Sequence, residues 1–213
     1  CLNIGGIANI SCNIDNRMIG FDICGANMVL NALASEIDLE YDKDGSIARS
    51  GNVNHDLLNE LNAQWYYEKP YPKSIGGGWV TKIFMPVFKK YRMQVEDKLR
   101  TATEHIALQI GKDIKNIYAT EFLTKDESHS ILVSGGGAFN KFLLERINYN
   151  SSVPLVVPDP ATIKFKEALL MCLMGALRMR NEVNVLASVT GASADSVGGE
   201  VYFSTGVKHE SVL

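Results

Sequence analysis

Short apolar runs in this 213-residue chain end in glycine-rich turns: Leu2-Asn3-Ile4-Gly5-Gly6, Gly20-Phe21-Asp22-Ile23-Cys24-Gly25-Ala26-Asn27, and Ile131-Leu132-Val133-Ser134-Gly135-Gly136-Gly137-Ala138. Turns made of residues this small let several backbone N–H groups face a phosphate, and a helix that follows adds its positive N-terminal end. The middle turn also carries a carboxylate. Asp22 can accept a proton from water or a sugar hydroxyl, or help orient a metal. It can equally cap the helix expected to begin near Asn27. Turns and acid together point to phosphoryl transfer more than to passive binding.

Other residues leave two readings open. Gly135-Gly136-Gly137 lies between a strand and a helix, but it is neither a dinucleotide fingerprint nor a Walker loop. It either touches a nucleotide or makes a tight crossover. Gly5-Gly6, flanked by Asn3 and Asn9, marks close approach of a ligand or another backbone, or else a bulge. Glu167, near the start of a long apolar helix, binds a sugar hydroxyl if it faces the sheet ends and otherwise complements the helix dipole. Trp65, Tyr66, Tyr67 and Tyr71 line a sugar site or cover a core edge, and the prolines nearby favour the edge. The 4 histidines form no cluster, and neither His-x-x-x-His nor Cys-x-x-Cys occurs, so no structural zinc site is expected. Ser134 lacks the Gly-x-Ser-x-Gly elbow of a hydrolase nucleophile.

The elements that would position these groups follow from periodicity. Residues 2–12 and 17–24 read as two strands joined by Asn13-Ile14-Asp15-Asn16 in a hairpin. Met28, Val29, Leu30, Leu33 and Ile37 predict a helix after Asn27. Residues 41–51 read as a loop, 53–62 as a short helix capped by Asn54, and 65–78 as an irregular segment. Pro86 kinks or splits a helix over 79–91. Leu99, Ala102, Ile106, Ile110, Ile114 and Ile117 predict a long helix over about 95–118. Strands follow at 131–133 and 153–157, helices at 140–147 and 161–180, the latter read as buried, and a last short strand at 198–203. This order is an α/β sheet covered by helices, with binding expected at the carboxyl ends of the strands.

Composition narrows the class. Hydrophobic residues make up 46%, charged residues 21%, and the net charge is −3, as in an ordinary globular domain. No basic block argues for nucleic acid. The cysteines at 1, 12, 24 and 172 match no metal pair, so a reduced, cytoplasmic chain is expected. Residues 1–12 lack a signal-peptide pattern, and the apolar run at 168–177 is too short to span a bilayer. Because Cys1 begins inside what reads as a central strand, a preceding N-terminal part is expected.

An ordered series of segments resembles the C-terminal part of the anhydro-N-acetylmuramic acid kinase family. The segments are Leu2-Asn3-Ile4-Gly5-Gly6-Ile7-Ala8-Asn9-Ile10, Gly20-Phe21-Asp22 with Gly25 and Asn27, Tyr41-Asp42-Lys43-Asp44-Gly45, Pro72-Lys73-Ser74, Gly135-Gly136-Gly137-Ala138-Phe139-Asn140, Lys166-Glu167-Ala168 and Val189-Thr190-Gly191-Ala192. The resemblance implies an actin-like, ribonuclease-H-like ATPase lobe of the sugar kinase and Hsp70 superfamily, using ATP and Mg²⁺. Residues 1–213 would be the C-terminal nucleotide-binding lobe of a two-lobe kinase, its N-terminal lobe absent. The implied reaction opens the 1,6-anhydro bond of anhydro-N-acetylmuramic acid and phosphorylates O6, in recycling of cell-wall sugars.

On the same grounds Asp22 matches the general base, and Gly135, Gly136 and Gly137 match a nucleotide-binding loop, with Gly5 and Gly6 also on the nucleotide side. Glu167 and Asn27 match the substrate side, and no residue is assigned to metal. The implied partners are a small amino sugar and ATP, a homodimer is allowed, and neither nucleic acid nor membrane is expected. Departures from the pattern also stand out. Ile75-Gly76-Gly77-Gly78 replaces the family's Thr-Gly-Arg-Glu, and Ile23-Cys24-Gly25-Ala26 replaces Thr-Gly-Pro-Gly/Ala. They motivate the alternative of a non-catalytic sugar- or nucleotide-binding homologue.

Overall fold

The computed structural model describes residues 1–14, 17–122 and 129–202. A mixed five-stranded sheet of order β3-β2-β1-β4-β5 forms its centre. β1 (Leu2–Ile4), β2 (Ile7–Ile14) and β3 (Arg17–Gly25) are an antiparallel meander. β4 (Ile131–Ser134) and β5 (Leu155–Val156) extend it in parallel beyond β1. The run expected as one strand over 2–12 is therefore two strands. The chain reverses at Gly5-Gly6 and pairs Ile4 with Ala8. The apolar pattern hides this reversal, because Ile4 and Ile7 continue it through the turn. Asp15 and Asn16 of the expected hairpin linker lie outside the described residues.

The helices are α1 (Asn27–Ala34), α2 (Ser46–Ser50), α3 (His55–Asn62), α4 (Gly77–Trp79), α5 (Met85–Phe88), α6 (Val95–Ile117), α7 (Lys141–Asn150), α8 (Pro160–Met179) and α9 (Ala187–Thr190). Asn54 caps α3 by accepting from the Leu57 amide at 2.9 Å. The helix expected over 79–91 with a kink or split at Pro86 runs unbroken from Gly77 to Phe88: a π turn over Val80–Phe84 joins α4 to α5, and Pro86 lies in the first turn of α5.

Leu99, Ile106, Ile110 and Ile114 of α6 are buried in one core with Leu2, Ile4, Ala8, Ile10, Phe21 and Cys24 from the same face of the sheet. Each such aliphatic side chain contributes about 1.5–3 kcal/mol by burial.

Some elements differ from expectation. The loop expected over 41–51 contains α2, because the buried Asp42 carboxylate accepts from the Ile47 and Ala48 amides, both at 2.9 Å, and so satisfies the helix start from a distance. The helix over 161–180 is present, but it is not a buried one. Of its residues only Ile163 is buried, while Leu169 is 70% and Met179 68% exposed. An apolar composition shows that a helix gains from burial; only packing decides what reaches it. Residues 198–202 form no strand, Phe203 lies outside the described residues, and the pairing near this end is a single bridge between Val185 and Ser196. Among the described residues no helix is long and apolar enough to cross a membrane.

Candidate active site

On the face of the sheet opposite α6, the register lines up polar residues in one rung. Ser134 pairs with Asn3, Asn3 with Asn9, and Asn9 with Asp22. Residues paired in this way project to the same face, with strands about 4.8 Å apart. All of them are half-buried. A β-bulge lies beside the acid, since Ala8 pairs with Cys24 and Asn9 with Asp22, leaving Ile23 as the extra residue. Bulges bend a strand and re-aim its side chains.

β3 is an edge strand, and the segment 73–75 runs along it. The Asp22 amide donates to the Lys73 carbonyl at 3.0 Å. Ser74 Oγ and the Ile75 amide both donate to Asp22 Oδ2, at 2.8 and 3.0 Å. The Tyr66 hydroxyl donates to the Asp22 carbonyl at 2.7 Å. Asp22 Oδ1 accepts no hydrogen bond among the described residues. The carboxylate is thus gripped by one oxygen and presents the other. It does not cap α1, whose N-cap position is Ala26.

Lys73 anchors this segment from the α6 side. Its ammonium lies over the rings of Phe21 and Tyr66 and pairs with Asp113 of α6 at 3.4 Å. The two side chains are only 5% and 13% exposed. Burial pushes the Asp113 carboxyl above its ordinary pKa, and Lys73 opposes that rise.

The turns divide their work unequally. The amides of Ala26, Asn27 and Met28 donate to the Gly6, Gly5 and Gly6 carbonyls at 2.8, 3.1 and 3.1 Å. The start of α1 therefore has these donors taken by the protein itself. The Gly5 and Gly6 amides, in contrast, donate to no acceptor among the described residues. On the rung itself, Lys166 of α8 donates to Asn3 Oδ1 at 2.5 Å and to Ser134 Oγ at 3.2 Å.

Gly135 and Gly137 pack against β1. Gly135 has φ +81°, and a Cβ there would lie 2.6 Å from the Ile4 carbonyl oxygen and 2.8 Å from Asn3 Oδ1. A Cβ on Gly137 would collide with the Ile4 side chain. Gly136 faces outward, its Cβ position 3.4 Å from Asn27 Nδ2. It joins Asn27, Leu30, Tyr41, Lys43 and Asn140 around a cleft of about 400 Å³, a size that suits a small ligand. Asn27 also donates to the Ile4 carbonyl at 3.2 Å, so the structure groups it with Gly136. Glu167 is exposed and makes no hydrogen bond or ion pair among the described residues. Tyr66 and Tyr67 are buried in the core edge, and Tyr71 stacks on Phe21 at 5.1 Å.

Reading motifs alone did not single out Asn9 as the neighbour of Asp22, nor Lys73 and Asp113 as its support, nor Lys166 as part of the rung. Lys166 did carry a signal, its place in the Lys166-Glu167-Ala168 segment that opens the apolar stretch of α8.

The sheet, its helices and the acid-bearing rung define a mixed α/β protein consistent with the actin-like ATPase fold. The model of the anhydro-N-acetylmuramic acid kinase family matches residues 1–204, and the chain belongs to that family. It is 33% identical over 216 residues to an anhydro-N-acetylmuramic acid kinase of Aliivibrio fischeri, covering 94% of this chain and 55% of the relative. It is likewise 33% identical over 211 residues to one from Vibrio vulnificus, covering 94% and 54%. The chain thus spans about half the length of the curated relatives it matches. A solved activator of 2-hydroxyisocaproyl-CoA dehydratase from Clostridium difficile, with bound ADPNP, is similar at 17% identity and a TM-score of 0.48, over 86% of this chain and 62% of that one.

Proposed function

We propose that this chain is the nucleotide-facing, base-carrying lobe of an ATP-dependent kinase that opens the 1,6-anhydro bond of anhydro-N-acetylmuramic acid and phosphorylates O6. The carrying observation is the Asp22 carboxylate, with Oδ2 held by Ser74 and Ile75 and Oδ1 accepting no hydrogen bond among the described residues. Water loses a proton to Oδ1 as its oxygen bonds to the anomeric carbon. The bond from that carbon to O6 breaks with its electron pair staying on O6, and O6 attacks the γ-phosphorus of ATP as the bond to the bridging oxygen breaks and ADP leaves. The grip on Oδ2 keeps the carboxylate oriented through the transfer. Such base assistance is worth about 10²–10⁴-fold in rate.

The cleft at Gly136 and Asn27 suits the nucleoside, and the Gly5-Gly6 amides suit its phosphates. Mg²⁺, when bound, would neutralise phosphate charge and be held chiefly through the nucleotide phosphates, leaving Asp22 for the proton. Glu167 is proposed on the sugar side, as the family resemblance implies; Asn27, which the resemblance also puts there, lines the cleft with Gly136 and is proposed on the nucleoside side.

A binding-only homologue is the second reading. It is favoured by Gly77 and Gly78, which stand where the family carries Arg and Glu; the Gly78 Cβ position opens on free space, and the Gly77 position meets only the flexible end of Met28. Incubating the protein that carries this chain with ATP, Mg²⁺ and anhydro-N-acetylmuramic acid, then assaying the 6-phosphate by mass spectrometry, decides between them. Product supports the kinase. Calorimetric binding of ATP and sugar without product supports the second reading.

A further inference from the structure

Lys166 is a cation without a counter-ion. It is half-buried, and its ammonium is held by Asn3 Oδ1 and Ser134 Oγ, both neutral. Among the described residues no carboxylate pairs with it, whereas other largely buried cations have one: Arg146 with Glu104, Lys98 with Glu36, Lys73 with Asp113. Partly removing an ammonium from water is costly unless something negative or strongly dipolar replaces the water. Two neutral oxygens replace it only in part, since an ammonium has three donors.

The surroundings specify the missing group. Lys166 sits at the carboxyl ends of the parallel strands β1 and β4. Asn3, which it grips, reaches toward Gly5: Asn3 Nδ2 is 3.5 Å from where a Gly5 Cβ would be. Gly5 and Gly6 present the undonated amides. The Lys166 ammonium, the Asn3 amide it holds and the Gly5-Gly6 turn next to that amide therefore lie at one end of the rung, while the carboxylate, Asp22, lies two strands away at the other. Donors without acceptors make an oxyanion site.

We infer that Lys166, with the Gly5 and Gly6 amides, binds a phosphoryl oxygen of the ligand. This places a positive charge where a transferring phosphoryl group accumulates negative charge. It deepens the kinase reading and rests on it for the identity of the phosphate donor. A carboxylate on the sugar offers the same oxyanion chemistry from a second source.

The test compares the protein that carries this chain with its Lys166→Met variant, which keeps the length and apolar stem of the side chain. Affinities for ATP, adenosine and inorganic pyrophosphate are measured by calorimetry, together with that for anhydro-N-acetylmuramic acid and for its analogue lacking the carboxylate. The expected result is a loss of about tenfold or more in the ratio of ATP to adenosine affinity, with adenosine itself unchanged. Lys166→Arg should recover most of that ratio. Loss confined to the carboxylate-bearing sugar would keep the oxyanion site and move its source to the sugar. An unchanged ATP-to-adenosine ratio and unchanged sugar affinity would overturn the proposal while leaving the kinase reading intact. Pyrophosphate binding that depends on Lys166, in a protein that binds no ATP, would do the reverse. A lower melting temperature with all ratios unchanged would mark Lys166 as structural and overturn it as well.

Discussion

Asn9 and Asp22 face each other across the β2–β3 ladder, and the bulge that aims Asp22 lies at the very next step, between Ala8 and Asn9. The acid is therefore placed by an irregularity of the strand pairing rather than by a loop. A side chain on a paired strand has less freedom to wander than one on a loop, which suits a group that must meet a reacting atom within a hydrogen bond's length. The partner amide of Asn9 lies at the same level of the sheet, where it can steady a water or hydroxyl delivered to Asp22.

Replacing Asp22 by Asn keeps the shape and the hydrogen bonds to Ser74 and Ile75 but removes the base. Turnover of the anhydro sugar should fall by about 10²–10⁴-fold, with the fold and nucleotide affinity largely kept. Steady-state kinetics and thermal melting check it together. Near-normal turnover would take Asp22 out of the mechanism.

Lys73 and Asp113 make a buried pair, so removing one partner strands the other. Lys73→Met should destabilise the protein by about 3–5 kcal/mol. Ser74 is exposed, and Ser74→Ala should cost little stability while lowering kcat more than KM, because it loosens the grip on Asp22 Oδ2. Denaturant melts and a kcat-against-KM comparison separate the two effects. Equal melting losses for both variants would contradict this division.

The glycines at 135 and 136 should respond differently to alanine. Gly135 has φ +81° and ψ 172°, a backbone region that side chains avoid, and a Cβ there meets the Ile4 carbonyl. Gly135→Ala should cost at least about 1–3 kcal/mol. Gly136→Ala has ordinary room and should leave the melt near wild type while weakening nucleotide binding at the cleft. Thermal melts with and without ATP read both outcomes, and a collapse of the Gly136→Ala fold would refute the assignment.

His105 predicts the response to acid. It is buried on α6, with Nδ1 2.7 Å from Asn62 Oδ1 and Nε2 2.9 Å from the Tyr67 hydroxyl. Asn62 Oδ1 also accepts from Gln109 at 2.8 Å, so Nδ1 carries the proton and Nε2 accepts from Tyr67. Burial pushes the pKa down from 6.5 to about 3. Below pH 6.5 the unfolded chain binds a proton that the folded one refuses. The stability tied to neutral His105 is therefore complete above that pH and is lost as pH falls toward 3, at up to about 1.4 kcal/mol per pH unit. Denaturant titrations at about pH 7.5 and about pH 4.5 should show a shallower loss for His105→Gln than for wild type. Equal slopes would show that His105 is not the sensor.

Much of the local architecture was legible before any coordinates. The spacing from Leu99 to Ile117 marks α6 because a helix repeats its buried face every three or four residues. Asn54 marks the start of α3 because its side chain reaches an amide three residues on. Asp22 and the glycine turns stood out because their residue types are chemically unusual at strand ends. The loop expected at 41–51 failed because Asp42 caps α2 from outside the helix, a contact that short-range capping rules do not reach.

What the sequence by itself determined was the set of elements, the acid and the family, since periodicity, caps and motifs are written in neighbouring residues. Only the tertiary structure decided the rest. It put Ser134, Asn3, Asn9 and Asp22 in one rung, set Lys73 against Asp113, assigned Gly135 to packing and Gly136 to the cleft, and left α8 largely exposed. The physical reason is register. A shift of one residue in any strand would send its rung member to the opposite face, and that alignment is settled by the packing of the whole sheet against α6, which no local stretch of sequence contains.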